Sequence, residues 1–161
     1  MVKQNKIVIL LLIFIIPVAS CEKQDEILID ITNQCSFQEN ILSPCFFGID
    51  NSGYDEIVIK NNEEYRSFED SLRINPANLD CDSAGLAPID FVNYSLIGIR
   101  TTGGGCYAEY ERHVFQNNRN NTVVYRIQTD YFGTCEKLIV NWNWAYIPKL
   151  PDNYLVEFQL D

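Results

Sequence analysis

The sequence predicts an α+β fold: an antiparallel β-sheet of about five to six strands with one helix packed on its apolar face. Three observations carry that expectation. Between Tyr94 and Leu160, five segments alternate apolar and polar residues with period two, separated by short turn signals. One segment, "NNEEYRSFEDSLR", has helical spacing instead. The chain left after the N-terminal leader is long enough for one domain with a real core.

Residues 1–20 read as that leader. Lys3 and Lys6 make a basic start, Ile7 to Ile16 is unbroken apolar sequence, and Pro17 ends the run. This core is about half the length a helix needs to cross a bilayer, so a secretory signal fits better than a permanent span. The closing "VASC" resembles a bacterial lipobox, an aliphatic residue and two small residues before a cysteine. The resemblance implies that Cys21 becomes the acylated first residue of the mature protein, anchored to the membrane by its lipid. "EKQDE" at Glu22 to Glu26 is similar to the export signals of Bacteroidota surface lipoproteins. The implied location is the outer membrane, facing the cell exterior; the simpler reading of the string is a solvated tether.

Residues 21–55 then form a tether and a cysteine-bearing N-terminal segment, and residues 56–161 form the folded domain. "EILIDI" suits a short first strand, and "DNSGYDE", Asp50 to Glu56, reads as a turn that lacks the alternating acidic ligands of a calcium loop. "EIVIK" is the next strand. In the helix that follows, Asn61 or Asn62 can cap the first turn, Glu63 and Glu64 suit the positive end of the dipole, and Pro76 lies beyond the close. Tyr65, Phe68 and Leu72 form a narrow apolar stripe, which a sheet would cover.

The remaining strands are "YSLIGIRT", "CYAEYERHVF", "TVVYRIQTDY", "KLIVNWNWAYI" and "YLVEFQL". In the second of these Ala108, Tyr110 and Val114 oppose Glu109, Glu111 and His113; in the third Val123, Tyr125 and Ile127 oppose Arg126, Gln128 and Asp130. In the fourth, Trp142 and Trp144 share a face with Leu138, Val140 and Tyr146, opposite Asn141 and Asn143. "NNRNN", Asn117 to Asn121, is the hairpin connection. A turn at residues 120 and 121 places positions summing to about 241 opposite each other, and Cys106 and Cys135 meet that condition. A cross-strand disulfide is therefore expected between them. On this reading the glycines of "TTGGGCY", Gly103 to Gly105, lie in the connection before the strand, where glycine permits positive φ or a bulge. A phosphate loop would require a following lysine and hydroxyl opening a helix.

Several functions are disfavoured. All 22 acidic residues lie after Ser20 and two of the 12 basic ones lie before it, so the mature chain carries ten positive against 22 negative charges, net −12. Such a surface repels phosphate backbones, and no nucleic acid is expected as a partner. No two cysteines have Cys-x-x-Cys spacing and there is a single histidine, so no metal site and no cofactor are expected. Cys35, Cys45 and Cys81 have no assigned pairing. His113 reads as a solvated strand residue, the acidic pair Asp80 and Asp82 sits beside turn residues, and no catalytic constellation can be drawn. Trp142 and Trp144 read as packing beneath the helix, with a sugar-stacking platform as the alternative.

From Ile57 onward the order of pieces resembles the C-terminal domain of the protease-complex-stabilising (PrcB-like) lipoproteins. The carrying motifs are "EEY" in the helix, "IDF" at Ile89 to Phe91, the Gly-Gly-aromatic approach to the next strand, and "IPK" at Ile147 to Lys149. Cys106 departs from the pattern by separating Gly105 from Tyr107. The resemblance implies a non-enzymatic, membrane-anchored accessory protein that binds another exported protein, with a protease as the named candidate. The resemblance brings no site with it; an exposed edge strand, "YLVEFQL", could accept a partner strand, and the glycine connection at Gly104, Gly105 and Tyr107 is a second candidate for partner binding. The alternative function is a cell-surface glycan- or small-molecule-binding lipoprotein.

Overall fold

A computed structural model describes residues 27–38, 41, 55–72 and 85–161. Cys21, Cys45, Asp80, Cys81, Asp82 and most of the 50–56 turn lie outside these residues. The elements are β1 (Ile29–Asp30), a 3₁₀ turn (Thr32–Gln34), β2 (Ser36–Gln38), β3 (Glu56–Ile59), α1 (Asn62–Ser71), β4 (Tyr94–Gly104), β5 (Tyr107–Asn117), β6 (Thr122–Phe132), β7 (Leu138–Pro148) and β8 (Leu155–Leu160).

Among the described residues the protein is mostly β with one short helix, and in place of the expected single sheet it has two four-stranded sheets. One is mixed, in the order β1-β5-β6-β8, with β8 parallel to β6; the other is antiparallel, in the order β2-β7-β4-β3. Residues 29–38 of the N-terminal segment thus supply one edge strand to each sheet. The reason is visible in β4 and β7. Both were expected to bury one face, yet both bury two. On β4, Leu96 faces the helix while Ile97 and Ile99 face the mixed sheet; on β7, Trp144 faces the helix while Ala145 and Ile147 face the mixed sheet. A strand buried on both faces needs a layer on each side. The order of layers is therefore helix, antiparallel sheet, mixed sheet.

The helix forms as its sequence dictates. Asn61 caps it, its side chain accepting from the Glu64 amide at 2.9 Å, while the Glu64 carboxylate reaches back to the Lys60 amide. That reciprocal arrangement satisfies two otherwise orphaned donors. Tyr65, Phe68 and Leu72 are buried against Ile57, Ile59, Leu96 and the two tryptophans, with the Phe68 and Trp144 rings 6.0 Å apart. Gly98 makes this possible, because a Cβ there would lie 2.4 Å from the Trp144 ring. The "EEY", "IDF" and "IPK" strings converge here. Tyr65 packs edge-on to Phe91 at 5.4 Å, and the Lys149 amide and ammonium donate to the Asn93 and Lys60 carbonyls.

Between the sheets lies the second core, built from Ile97, Ile99, Ala145 and Ile147 against Val114, Val123, Tyr125 and Ile127. Asn143, expected on a polar face, is fully buried in this layer. Its carbonyl oxygen accepts from Arg112 Nε and Nη2 at 3.0 and 2.8 Å, and its amide donates to Thr101 Oγ1 at 3.0 Å. A buried amide is tolerated only with such partners.

The β5–β6 hairpin closes over Asn118–Asn121, with Asn121 at φ 55°, as the asparagine-rich string predicts. Its register sums to 239, for example Val114 opposite Tyr125. The expected sum of about 241 is off by two because the turn sits nearer the β5 end.

Candidate functional site

Four strands of eleven residues, β4 to β7, share one pattern: each is buried at one end and open at the other. The open ends coincide at the C-termini of β4 and β6 and the N-termini of β5 and β7. They project past the core as a tip, and the expected partner-binding residues lie on it.

Tyr107 opens β5 and stands opposite Phe132, the last residue of β6. The rings stack at 5.1 Å with an 18° interplanar angle, and remain 56% and 37% exposed. The next row on the same outer face pairs Glu109 with Asp130, two carboxylates directly opposed across the strands. Like charges in that position disfavour the isolated hairpin and favour a cation arriving from outside. On the neighbouring sheet Leu138 and Val140 are exposed as well, opposite Gly104 and Thr102 of β4.

Several contacts fix the tip. Cys106 and Cys135 form the expected disulfide, with Cα atoms 4.9 Å apart. Both lie beyond the ladder, which ends at Tyr107 and Phe132, so the bond clamps the two loops at the hairpin's open end. The Cys106 amide donates to the Phe132 carbonyl at 2.6 Å and the Gly105 amide to the Lys137 carbonyl at 3.1 Å. The glycine string differs from expectation. Gly103 and Gly104 continue β4 in register with Ile139 and Leu138, leaving Gly105 and Cys106 as the link between the sheets. None of the three has positive φ; among described glycines only Gly133, against the disulfide, does, at 85°. Gly103 serves a close approach instead, since the Tyr131 ring of the other sheet lies where its Cβ would be, 2.2 Å away. Gly104 opens onto free space.

The other chemistry-bearing residues do not converge. His113 sits opposite Arg126 with its Nε2 2.9 Å from Glu111 Oε1, on the open face of the mixed sheet. Cys35 is a free, half-buried thiol whose Sγ donates to the Ile31 carbonyl, and burial pushes its pKa up to about 12, so it is no nucleophile at neutral pH. Burial likewise pushes the Tyr125 phenol above its ordinary range. Trp142 and Trp144 stack on each other at 5.2 Å and are 7% and 1% exposed, so they offer no platform for a sugar. Among the described residues no group of three or more His, Cys, Asp or Glu is placed to hold a metal ion, and no helix is long and apolar enough to cross a membrane. Strand β8 is an edge of the mixed sheet.

Sequence reasoning named Tyr107 but missed Phe132 and the Glu109–Asp130 row. The hairpin register, corrected by two, is the signal that finds them. No protein-family model matches the chain, and neither a curated protein nor a solved structure is significantly similar to it.

Proposed function

We propose that the protein is a non-enzymatic, lipid-anchored accessory module of the outer membrane that binds another exported protein through its tip. The carrying observation is the stacked Tyr107–Phe132 pair, exposed yet held in one geometry by the Cys106–Cys135 clamp. Rigid exposed aromatics are the residues that anchor protein interfaces, because little side-chain freedom is lost on binding. The opposed carboxylates of Glu109 and Asp130 beside the pair suit a partner surface bearing lysine or arginine. The motif resemblance to the PrcB-like lipoproteins makes an exported protease complex the first partner to seek.

The strand register supports the orientation this reading needs. Ile29, eight residues after the lipobox cysteine, pairs with Gln116, whereas Tyr107 lies nine residues back along the same strand. At about 3.4 Å per residue the tip stands roughly 30 Å from the point where the tether joins the sheet. A chain anchored at Cys21 can thus present the tip away from its membrane.

The test is crosslinking capture of envelope proteins by the full lipoprotein in its native membrane. A specific protein retained by wild type and lost on Tyr107→Ala with Phe132→Ala is the expected result. Equal capture by wild type and this variant, which preserves the core, overturns the assignment to the tip.

A further inference from the structure

The face of the mixed sheet that bears Tyr107 and Phe132 holds another aromatic ring and another charge further down the same two strands. Phe115 and Arg126 share that face, since each lies an even number of residues from the tip aromatic on its own strand. Phe115 stands opposite Val124 and Arg126 opposite His113, so the two occupy adjacent rows. The Arg126 guanidinium lies over the Phe115 ring, 5.3 Å from its centroid. Its Nε and Nη2 donate to Gln159 Oε1 at 3.1 and 2.9 Å, and Asp161 Oδ2 lies 3.7 Å from Nε. Ring, guanidinium and carboxylate are all supplied by this chain.

At the tip the same parts recur without the cation. The stacked rings of Tyr107 and Phe132 form one row, and the carboxylates of Glu109 and Asp130 form the next. All four side chains are exposed. A cation held over the carboxylates stands one row from the rings, about 7 Å along the strands, which is the offset of Arg126 from Phe115. Among the described residues no salt bridge engages Glu109 or Asp130, whereas Glu111 in the following row is met by His113 at 2.9 Å. No third carboxylate, imidazole or thiol is grouped with the pair among the described residues, so its donor set suits an organic cation better than a metal ion.

We propose that the tip is a recognition site for one arginine side chain of the partner protein, whose guanidinium lies against the Tyr107–Phe132 pair and donates to the carboxylates of Glu109 and Asp130. The inference rests on the tip being the partner surface and adds the residue that it reads. Opposed residues have Cβ atoms about 5 Å apart, within the span of the guanidinium fork. A guanidinium stacks on a ring and donates to two carboxylates at once. An ammonium is a compact, strongly hydrated charge and does neither as well, so the site prefers arginine to lysine. The Cys106–Cys135 clamp holds the ring row in place before the arginine arrives.

The probes are N-acetyl-arginine amide, N-acetyl-lysine amide and N-acetyl-citrulline amide, titrated at constant ionic strength into the isotope-labelled full chain in detergent. Nuclear magnetic resonance follows the backbone amides of Tyr107, Glu109, Asp130 and Phe132. The arginine compound shifts them saturably, the lysine compound binds about threefold or more weaker, and the neutral citrulline compound leaves them in place. Glu109→Gln with Asp130→Asn weakens arginine binding about tenfold. This variant relieves like-charge repulsion across the strands, so the hairpin stays folded. Tyr107→Ala with Phe132→Ala brings arginine binding down to the lysine level. No saturable shift with arginine, equal binding of arginine and lysine, or undiminished arginine binding by Glu109→Gln with Asp130→Asn overturns the proposal. Partner capture separates this failure from failure of the tip reading. Capture lost on Tyr107→Ala with Phe132→Ala but kept on Glu109→Gln with Asp130→Asn overturns the arginine site and leaves the tip as the binding surface.

Discussion

The same four long strands hold together by different physics at their two ends. At the inner end Leu96, Ile97, Trp144 and Ile127 are removed from water on every side, and burial of large apolar side chains supplies the cohesion. At the outer end the ladder continues from Thr102 to Gly104 and from Tyr107 to Tyr110, but the layer between the sheets thins to half-buried Tyr110 and the Tyr131 ring on Gly103. There the chain is held by strand pairing and one covalent clamp. A region kept in place without a core can leave its aromatic residues uncovered. A core cannot, because uncovering those residues is what unfolds it.

Substitutions at the two ends should break this contrast in order of size. Trp144→Ala removes the ring that bridges Gly98 and Phe68, and should cost about 3–5 kcal/mol in denaturant unfolding, with cooperative loss of both sheets. Cys106→Ser with Cys135→Ser opens a loop of 29 residues, worth roughly 3.5 kcal/mol in the chain-entropy account. Hydrogen exchange sharpens that result: amides near Tyr107 and Phe132 should lose protection ahead of those of Val123 to Tyr125. Equal loss throughout would mean that the tip and the core unfold as one unit. Asn143→Ala removes the acceptor of two Arg112 hydrogen bonds and the donor to the Thr101 hydroxyl between the sheets, for a loss of about 1–3 kcal/mol by the same measurement.

The smallest effect is set by pH at the turn before β4. The Asn93 side chain and the Val92 and Asn93 amides hold the Asp90 carboxyl below its ordinary value of 3.8. Because the folded-state pKa is the lower one, the contribution is complete above the unfolded value and disappears as pH falls through the folded value. Acid titration of stability should therefore lose a shallow component below about pH 4 in Asp90→Asn, relative to wild type. An unchanged acid profile would remove Asp90 from the turn's stability.

The elements themselves were legible. Asn61 as cap, the Tyr65–Phe68–Leu72 stripe, the alternation of five strands and the asparagine hairpin each depend on neighbours a few residues away. The disulfide was also legible, although through a register two residues off, because two cysteines near the ends of one hairpin have few other places to go. The tip was half legible. Tyr107 stood out beside the glycines, while Phe132 and the Glu109–Asp130 row depend on which residue faces which.

The sequence by itself determined one helix, the strands from Glu56 onward, the packing of the tryptophans under the helix and the acidic surface. Periodicity and capping are properties of a single segment. Only the tertiary structure decided that the strands divide between two sheets, that residues 29–38 extend both, and that Asn143 is buried. Alternation in a strand shows that two faces differ, but it cannot show what covers the second. An asparagine on that face reads as solvent-exposed until Arg112 and Thr101, 31 and 42 residues away, are brought to it.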